Sequence, residues 1–214
     1  MSWEMVAPQL AEYVDGLVPP RPPELREMEQ DAARTRFPII GPAAGQLCYL
    51  LSRMVGARKV FELGSGFGYS TAWFARAVAE NGGGTVHHVV WDEQLSARAR
   101  GHLDRLGYAD IVRYRVGEAV EALRGTTEGP FDVIFNDIDK HAYPDSLPVI
   151  ESRLRPGGLL IIDNMIWHGA IFDAADRSPD NEGVREFTRR ITQSPDWITS
   201  LLPLRDGLIV AMRK

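Results

Sequence analysis

What most limits the possible folds of this chain is the order of its apolar runs beyond Lys59. Short β-rich runs at residues 60–63, 85–90, 111–115, 133–136 and 159–162 alternate with stretches of helical periodicity. Such alternation requires crossover connections, and successive crossovers build a parallel sheet with helices packed on its faces. Residues 69–80 place Trp73 with Ala77 and Phe74 with Val78 at helical spacing, and residues 95–106 and 143–154 carry similar patterns. The end of the chain departs from this rhythm. After a helix over 182–192, two β-rich runs at 197–202 and 208–212 flank Pro203 and the turn pair Asp206-Gly207, which predicts an antiparallel final pair. The expected architecture is a doubly wound α/β sheet.

Ahead of the sheet, the sequence predicts a helix over residues 5–17, stopped by Pro19-Pro20-Arg21-Pro22-Pro23. A second helix starts at Pro23-Glu24 and runs to about Thr35, and a third covers 43–55 after the Gly41-Pro42 break. With 214 residues the chain is read as one domain, in which 1–36 form a helical arm and lid and 37–214 the core. A second lid segment is expected at 172–181. Hydrophobic residues at 44% and charged residues at 25% fit an ordinary globular protein. No apolar stretch approaches the roughly 18 residues needed to span a membrane, and no signal segment is recognisable, so a cytoplasmic location is expected. The single cysteine, Cys48, lies among Leu47, Leu50 and Leu51 and reads as a core thiol. A net charge of −5 gives no global basis for nucleic-acid binding. Between Asp31 and Glu62, however, the chain has no acid while carrying Arg34, Arg36, Arg53, Arg58 and Lys59. That window is either a solvated basic face or an entrance for an anionic substrate.

Two constellations carry chemistry. The first is Val60-Phe61-Glu62-Leu63-Gly64-Ser65-Gly66-Phe67-Gly68-Tyr69-Ser70, which passes from strand through glycines into a helix. Ligands of open α/β sheets bind at the C-terminal strand ends, where glycines admit the ligand and the helix N-terminus offers free N–H groups. A dinucleotide fingerprint would need its third glycine at position 69, which is Tyr, so the nicotinamide reading weakens. The G-x-G-x-G turn after Glu-Leu instead resembles motif I of class I methyltransferases. That resemblance implies that Gly64, Ser65, Gly66 and Ser70 contact S-adenosylmethionine and that Glu62 orients the loop or the donor's ammonium group.

The second constellation places acids after two buried strands: Asp137-Ile138-Asp139-Lys140 follows 133–136, and Asp163-Asn164 follows 159–162. If the two strands are neighbours, Asp137, Asp163 and Asn164 converge on one sheet edge. Two carboxylates and an amide oxygen form a hard oxygen set suited to Mg²⁺, at about 2.0–2.1 Å, and less suited to zinc.

Asp137-Ile138-Asp139-Lys140-His141-Ala142-Tyr143, Leu154-Arg155-Pro156-Gly157-Gly158 and Asp163-Asn164-Met165-Ile166-Trp167-His168-Gly169 together resemble the cation-dependent catechol and caffeoyl-CoA O-methyltransferases and their bacterial members. The likeness runs from about Phe37 to Leu208. It implies a Rossmann-like seven-stranded sheet with an antiparallel last pair, a homodimer, S-adenosylmethionine as methyl donor and a divalent cation, Mg²⁺, that chelates a diphenol or vicinal diol. Under this resemblance Lys140 is the general base beside the metal ligand Asp137, because desolvation and a neighbouring cation both lower a lysine pKa. Asp139, Trp167 and His168 face the substrate, while Ile40 and Ala119 line the donor site together with Asp137.

Two departures stand out. The acid that takes both ribose hydroxyls in the family is replaced by Val90, which leaves Asp92 as the nearby carboxylate. The loop at residues 39–46 lacks the family's acids, and with Arg34 and Arg36 nearby it points to an acceptor carrying a carboxylate or phosphate. Other readings are an O-methyltransferase acting on a hydroxylated uridine of transfer RNA and a non-catalytic module that binds the donor or a metal.

Overall fold

The computed structural model describes residues 8–214. The predicted start of the first helix, residues 5–7, lies outside that range. The helix itself is α1 (Pro8–Gly16), followed by α2 (Pro23–Thr35) and α3 (Gly41–Met54). α3 begins two residues earlier than the sequence pattern suggests, because Pro42 falls in its first turn, where a missing N–H costs nothing.

From here strands and helices alternate: β1 (Lys59–Leu63), α4 (Tyr69–Glu80), β2 (Thr85–Val90), α5 (Glu93–Arg105), β3 (Val112–Val116), α6 (Ala119–Gly125), β4 (Phe131–Asn136), α7 (Tyr143–Arg153) and β5 (Leu154–Ile162). The chain closes with α8 (Pro179–Gln193), β6 (Trp197–Leu202) and β7 (Leu208–Arg213). The strands form one seven-stranded sheet in the order β3-β2-β1-β4-β5-β7-β6. β7 is antiparallel to both neighbours, and the other pairings are parallel. The doubly wound fold with an antiparallel final pair is thus the one expected. β3 sits one residue later than predicted, and β5 starts at Leu154, five residues before the apolar run.

The near-continuous apolar strands are explained by burial on both faces. Val60, Val133, Phe135, Leu159 and Ile161 pack with α2, α3, α4 and α5, whereas Phe61, Leu63, Ile134, Leu160 and Ile162 pack with α6, α7 and α8. α4 is buried nearly all round, since α3 covers the side that the sheet does not.

Asp132 locks the N-terminal edge: its carboxylate accepts the N–H groups of Arg58 and Lys59, each at 2.8 Å, and Arg155 Nε at 2.6 Å. At the opposite edge the strand ends step across one another. Asp137 N donates to Leu63 O at 2.9 Å and Asp163 N to Asn136 O at 3.2 Å, so Gly64, Asp137 and Asp163 stand side by side.

Candidate active site

A cavity of about 1350 Å³ opens over the C-terminal ends of β1, β2, β4 and β5. Pockets for one drug-sized ligand are typically about 300–1,000 Å³, so this volume suits two reactants together. One end is walled by the glycine turn, Ser70, Val89, Val90 and Ala119, and the other by Asp137, Asp139, Lys140, Asp163, Asn164, Trp167 and His168. Ile40 and the α1 residues Leu10, Ala11, Val14 and Asp15 also line it.

Backbone geometry builds the first end. Gly64 has φ +86°, and a Cβ there would stand 2.4 Å from the carbonyl oxygen of Asp137. Only glycine therefore lets the β1 turn lie against the β4 end. Gly68 is required for another reason. A Cβ at its position would meet that of Ala99 at 2.9 Å, so it seats α5 and does not line the cavity. The Ser65 hydroxyl accepts the Val89 N–H at 2.9 Å and thereby ties the turn to β2.

Glu62 is fully buried beneath the turn and does not line the cavity, so of its two expected roles its position suits orienting the loop from behind and not contact with a ligand's ammonium group. Its Oε2 accepts from the Thr71 hydroxyl, which also meets His88 Nδ1 at 3.0 Å. Burial pushes the Glu62 carboxyl up to about 7, opposed by the hydroxyls of Ser70, Thr71 and Ser65. Burial, reinforced by Arg100, pushes His88 down to about 3. Glu62 Oε1 and His88 Nε2 have no hydrogen-bond partner among the described residues.

At the ribose position Val90 is buried, and Asp92 sits exposed at the rim, where its Oδ1 caps α5 through Leu95 N at 2.8 Å. Both oxygens of Glu118, which also lines this end, cap α6 through the N–H groups of Val120 and Glu121. These acids carry helix-capping duties, as Asp and Glu commonly do at N-termini.

At the other end, Lys140 Nζ donates to Asp137 Oδ1 at 2.8 Å and to Ile138 O at 3.1 Å, and lies 5.6 Å from the Trp167 ring centroid. Burial raises the Asp137 carboxyl while Lys140 lowers it. Asp163 is pushed up to about 7, first by burial and then by the neighbouring Asp137 charge. Two carboxylates that burden each other in a desolvated pocket form a site short of positive charge.

Asn164 adopts a left-handed φ of +57°, and its Nδ2 donates to Asp206 Oδ2 at 2.9 Å, which leaves Oδ1 without a hydrogen bond among the described residues. Asp206 Oδ1 accepts the His168 N–H at 2.6 Å. Asp206 thus orients both segments. In the sequence Asp206 stands only as half of a turn pair, and its place just before Gly207 is the one local sign of this role.

No group of three His, Cys, Asp or Glu side chains is arranged to hold a metal ion among the described residues, and the oxygen set here is two acids plus an amide. That donor chemistry, with an uncommitted amide oxygen beside paired acids, fits a hard divalent cation.

Other expectations change. Arg34 and Arg98 both pair with Asp31, Arg53 with Glu80, and Arg58 with the Gly83 carbonyl at 2.8 Å. Neither Arg34 nor Arg36 reaches the cavity, so the basic window is dispersed by folding and forms no entrance. Of the two expected lid segments, α1 lines the cavity and residues 172–181 do not. The Asn181 amide there is turned inward, to Ala170 O at 2.9 Å.

A doubly wound sheet with a donor-sized cleft at its switch point and an oxygen-rich corner on β4 and β5 defines a class I methyltransferase. The chain belongs to the O-methyltransferase family, whose model matches residues 21–214. It is accordingly an enzyme of the S-adenosylmethionine-dependent O-methyltransferase class. It is 33% identical over 183 residues to a catechol O-methyltransferase of Niastella koreensis, covering 82% of each chain. Among solved structures, the O-methyltransferase from Bacillus cereus in complex with SAH superposes with TM-score 0.87 at 30% identity, covering 96% of this chain and 97% of that one. The O-methyltransferase TomG from Streptomyces achromogenes, involved in tomaymycin synthesis and solved with SAM, gives TM-score 0.87 at 25% identity over 100% of both chains.

Proposed function

We propose that this enzyme methylates one hydroxyl of a small aromatic vicinal diol, with S-adenosylmethionine at the glycine-turn end of the cavity and a divalent cation, Mg²⁺, at the Asp137 corner. The single observation that carries the reading is the desolvated Asp137–Asp163 pair, with Lys140 bonded to Asp137, inside the same cavity as the glycine turn.

Asp137, Asp163 and the Asn164 amide oxygen would hold the cation, which supplies charge that favours the ionised form of a ligated hydroxyl. The turn 64–66, Ser70, Ile40 and Ala119 would bind the donor, with Asp92 at its rim and Asp137 between the two reactants. Lys140 Nζ, which donates to Asp137, would first release its proton to solvent as Asp137 passes to the cation, and the neutral amine would then accept the proton of the acceptor hydroxyl. Trp167 walls an aromatic ring, while Asp139 and His168 border the acceptor. Holding the two reactants at near-attack distance then accounts for much of the rate.

Small-molecule acceptors are favoured over transfer RNA. Lys140 and Arg205 are the cavity's only Lys or Arg residues among those described, against seven Asp or Glu, a poor match for a polyanion. A cytoplasmic homodimer completes the reading, and no helix among the described residues is long and apolar enough to cross a membrane.

The test is transfer of labelled methyl from S-adenosylmethionine to catechol, with Mg²⁺ or with chelator. Turnover should need the cation and fall by about 10²–10⁴ in Lys140→Met, while SAH binding measured by calorimetry persists. Turnover indifferent to both chelator and Lys140→Met would refute the assignment of this corner.

A further inference from the structure

The loop between β6 and β7 holds a cation that the site described above does not use. Arg205 lines the acceptor end of the cavity and makes no hydrogen bond or ion pair among the described residues. The other lysine or arginine of the cavity, Lys140, is already bound to Asp137.

The position of Arg205 is built. Its backbone is left-handed, φ +52°, a conformation unusual for a residue with a side chain. The following residue is fixed on both carboxylate oxygens, to Asn164 Nδ2 and His168 N. A Cβ at Gly207 would stand 2.5 Å from Ile166 Cγ1, so the loop is pressed against the segment that carries Asn164. On the far side, Arg205 Nη1 occupies space at Gly41, 1.8 Å from where a Cβ would lie. Gly41 opens α3, and its missing side chain makes the seat for the guanidinium.

We propose that the Gly41–Arg205 juxtaposition is a receptor for a carboxylate on the methyl acceptor, which makes the preferred substrate an aromatic vicinal diol carrying a carboxylate on its ring or on a short side chain. The proposal rests on the diol reading above and deepens it. A guanidinium presents paired N–H donors that match a carboxylate, and at the exposed rim of the cavity, where Arg205 sits, such a charged pair discriminates between an acid and its ester. Most acids near this end have partners of their own: Asp15 Oδ1 accepts Ala43 N at 3.1 Å, Asp163 Oδ1 accepts Asn164 N at 2.7 Å, Asp206 holds Asn164 and His168, and Asp137 holds Lys140, which leaves Asp139 as the carboxylate without a side-chain partner among the described residues. This placement supplies the anion preference that the Arg34–Arg36 window does not.

The experiment compares 3,4-dihydroxybenzoate with its methyl ester in the full chain, wild type and Arg205→Gln, each supplied with S-adenosylmethionine and Mg²⁺. The acid-to-ester ratio of kcat/KM should fall by about tenfold or more in Arg205→Gln, mainly through KM, with part of the ratio restored in Arg205→Lys. An equal loss on acid and ester would overturn the proposal and leave Arg205 as a packing contact on Gly41 of α3, and an unchanged ratio would overturn it as well. Calorimetry of the two compounds binding to SAH-loaded protein without metal separates this proposal from the reading beneath it. Acid binding that is lost in Arg205→Gln, with no turnover of either compound, would uphold the carboxylate seat and sink the methylation of diols. Equal binding of acid and ester by wild type and variant would sink the seat alone.

Discussion

Gly183→Ala should destabilise the enzyme although it places a better helix former in the middle of α8. In an exposed helix interior this exchange gains about 1 kcal/mol, because glycine loses more backbone freedom on folding. Gly183 is buried where α8 crosses the short turn Lys140–Ala142, and a Cβ there would stand 2.2 Å from the Lys140 carbonyl oxygen and 2.7 Å from His141 Cα. Both obstacles are backbone, so neither can rotate away. α8 is also tied to this turn and the start of α7, by His141 N to Asp180 Oδ1 at 3.0 Å and by Arg190 Nη1 to Pro144 O at 3.2 Å, which opposes lifting the helix. Overpacking of a tight contact costs about 1–3 kcal/mol, and more when backbone must move. The expected net loss is about 1–2 kcal/mol. Gly101→Ala in α5 is the matched control: the nearest atom to its Cβ is Arg105 Nη1 at 3.6 Å, an ordinary contact, so the full gain of up to about 1 kcal/mol should appear. Thermal unfolding should separate the two variants by roughly 4–12 °C, at about 2–4 °C per kcal/mol for a chain of this size. Gly183→Ala should also lose turnover, since relief of the clash displaces the turn that carries Lys140. If Gly183→Ala melts at or above the wild-type temperature, the claim that glycine is required for this crossing is wrong.

Asp206→Ala should weaken the apparent cation affinity by about 10–100-fold, as loss of a group that orients a ligand does, measured as the Mg²⁺ dependence of turnover; an unchanged dependence would remove Asp206 from that role. The buried pair Glu62 and His88 should have opposite effects on stability against pH. Glu62 is raised to about 7 from 4.5, so the folded chain keeps a proton that the unfolded chain releases, and stability falls as pH rises through that window. His88 is lowered to about 3 from 6.5, so the unfolded chain gains a proton that the folded chain refuses, and stability falls as pH drops below about 6.5. Between about 4.5 and 6.5 the two slopes oppose each other. Glu62→Gln should therefore expose a rise with pH of up to about 1.4 kcal/mol per unit, and His88→Gln a fall, in urea titrations across that range. Parallel slopes in both variants would contradict the assignment.

Much of this protein was legible from local patterns. The alternation of short apolar β-rich runs with helical ones specified a doubly wound sheet, because strands buried on both faces read as apolar runs and their crossovers need helices. The turn at Gly64 announced itself because only glycine takes its backbone conformation without strain, and acids placed directly after two buried strands could only emerge at the sheet's C-terminal edge. These features depend on neighbours in sequence.

What the sequence left undecided depends on neighbours in space. Glu62 looked like a ligand contact, but a strand residue's facing is settled by register, and here it points beneath the turn toward Thr71 and His88. Asp92 looked free for a ribose, yet where α5 begins makes it a helix cap. The arginines before Glu62 formed one basic window along the chain, and folding sent them to Asp31, Glu80 and Gly83 on separate elements. Arg205 and Gly41 meet only because β7 inserts between β5 and β6 and carries the preceding loop across the mouth of the cavity. A side chain's charge is written in the sequence, but what it acts upon is set by the contacts that packing creates.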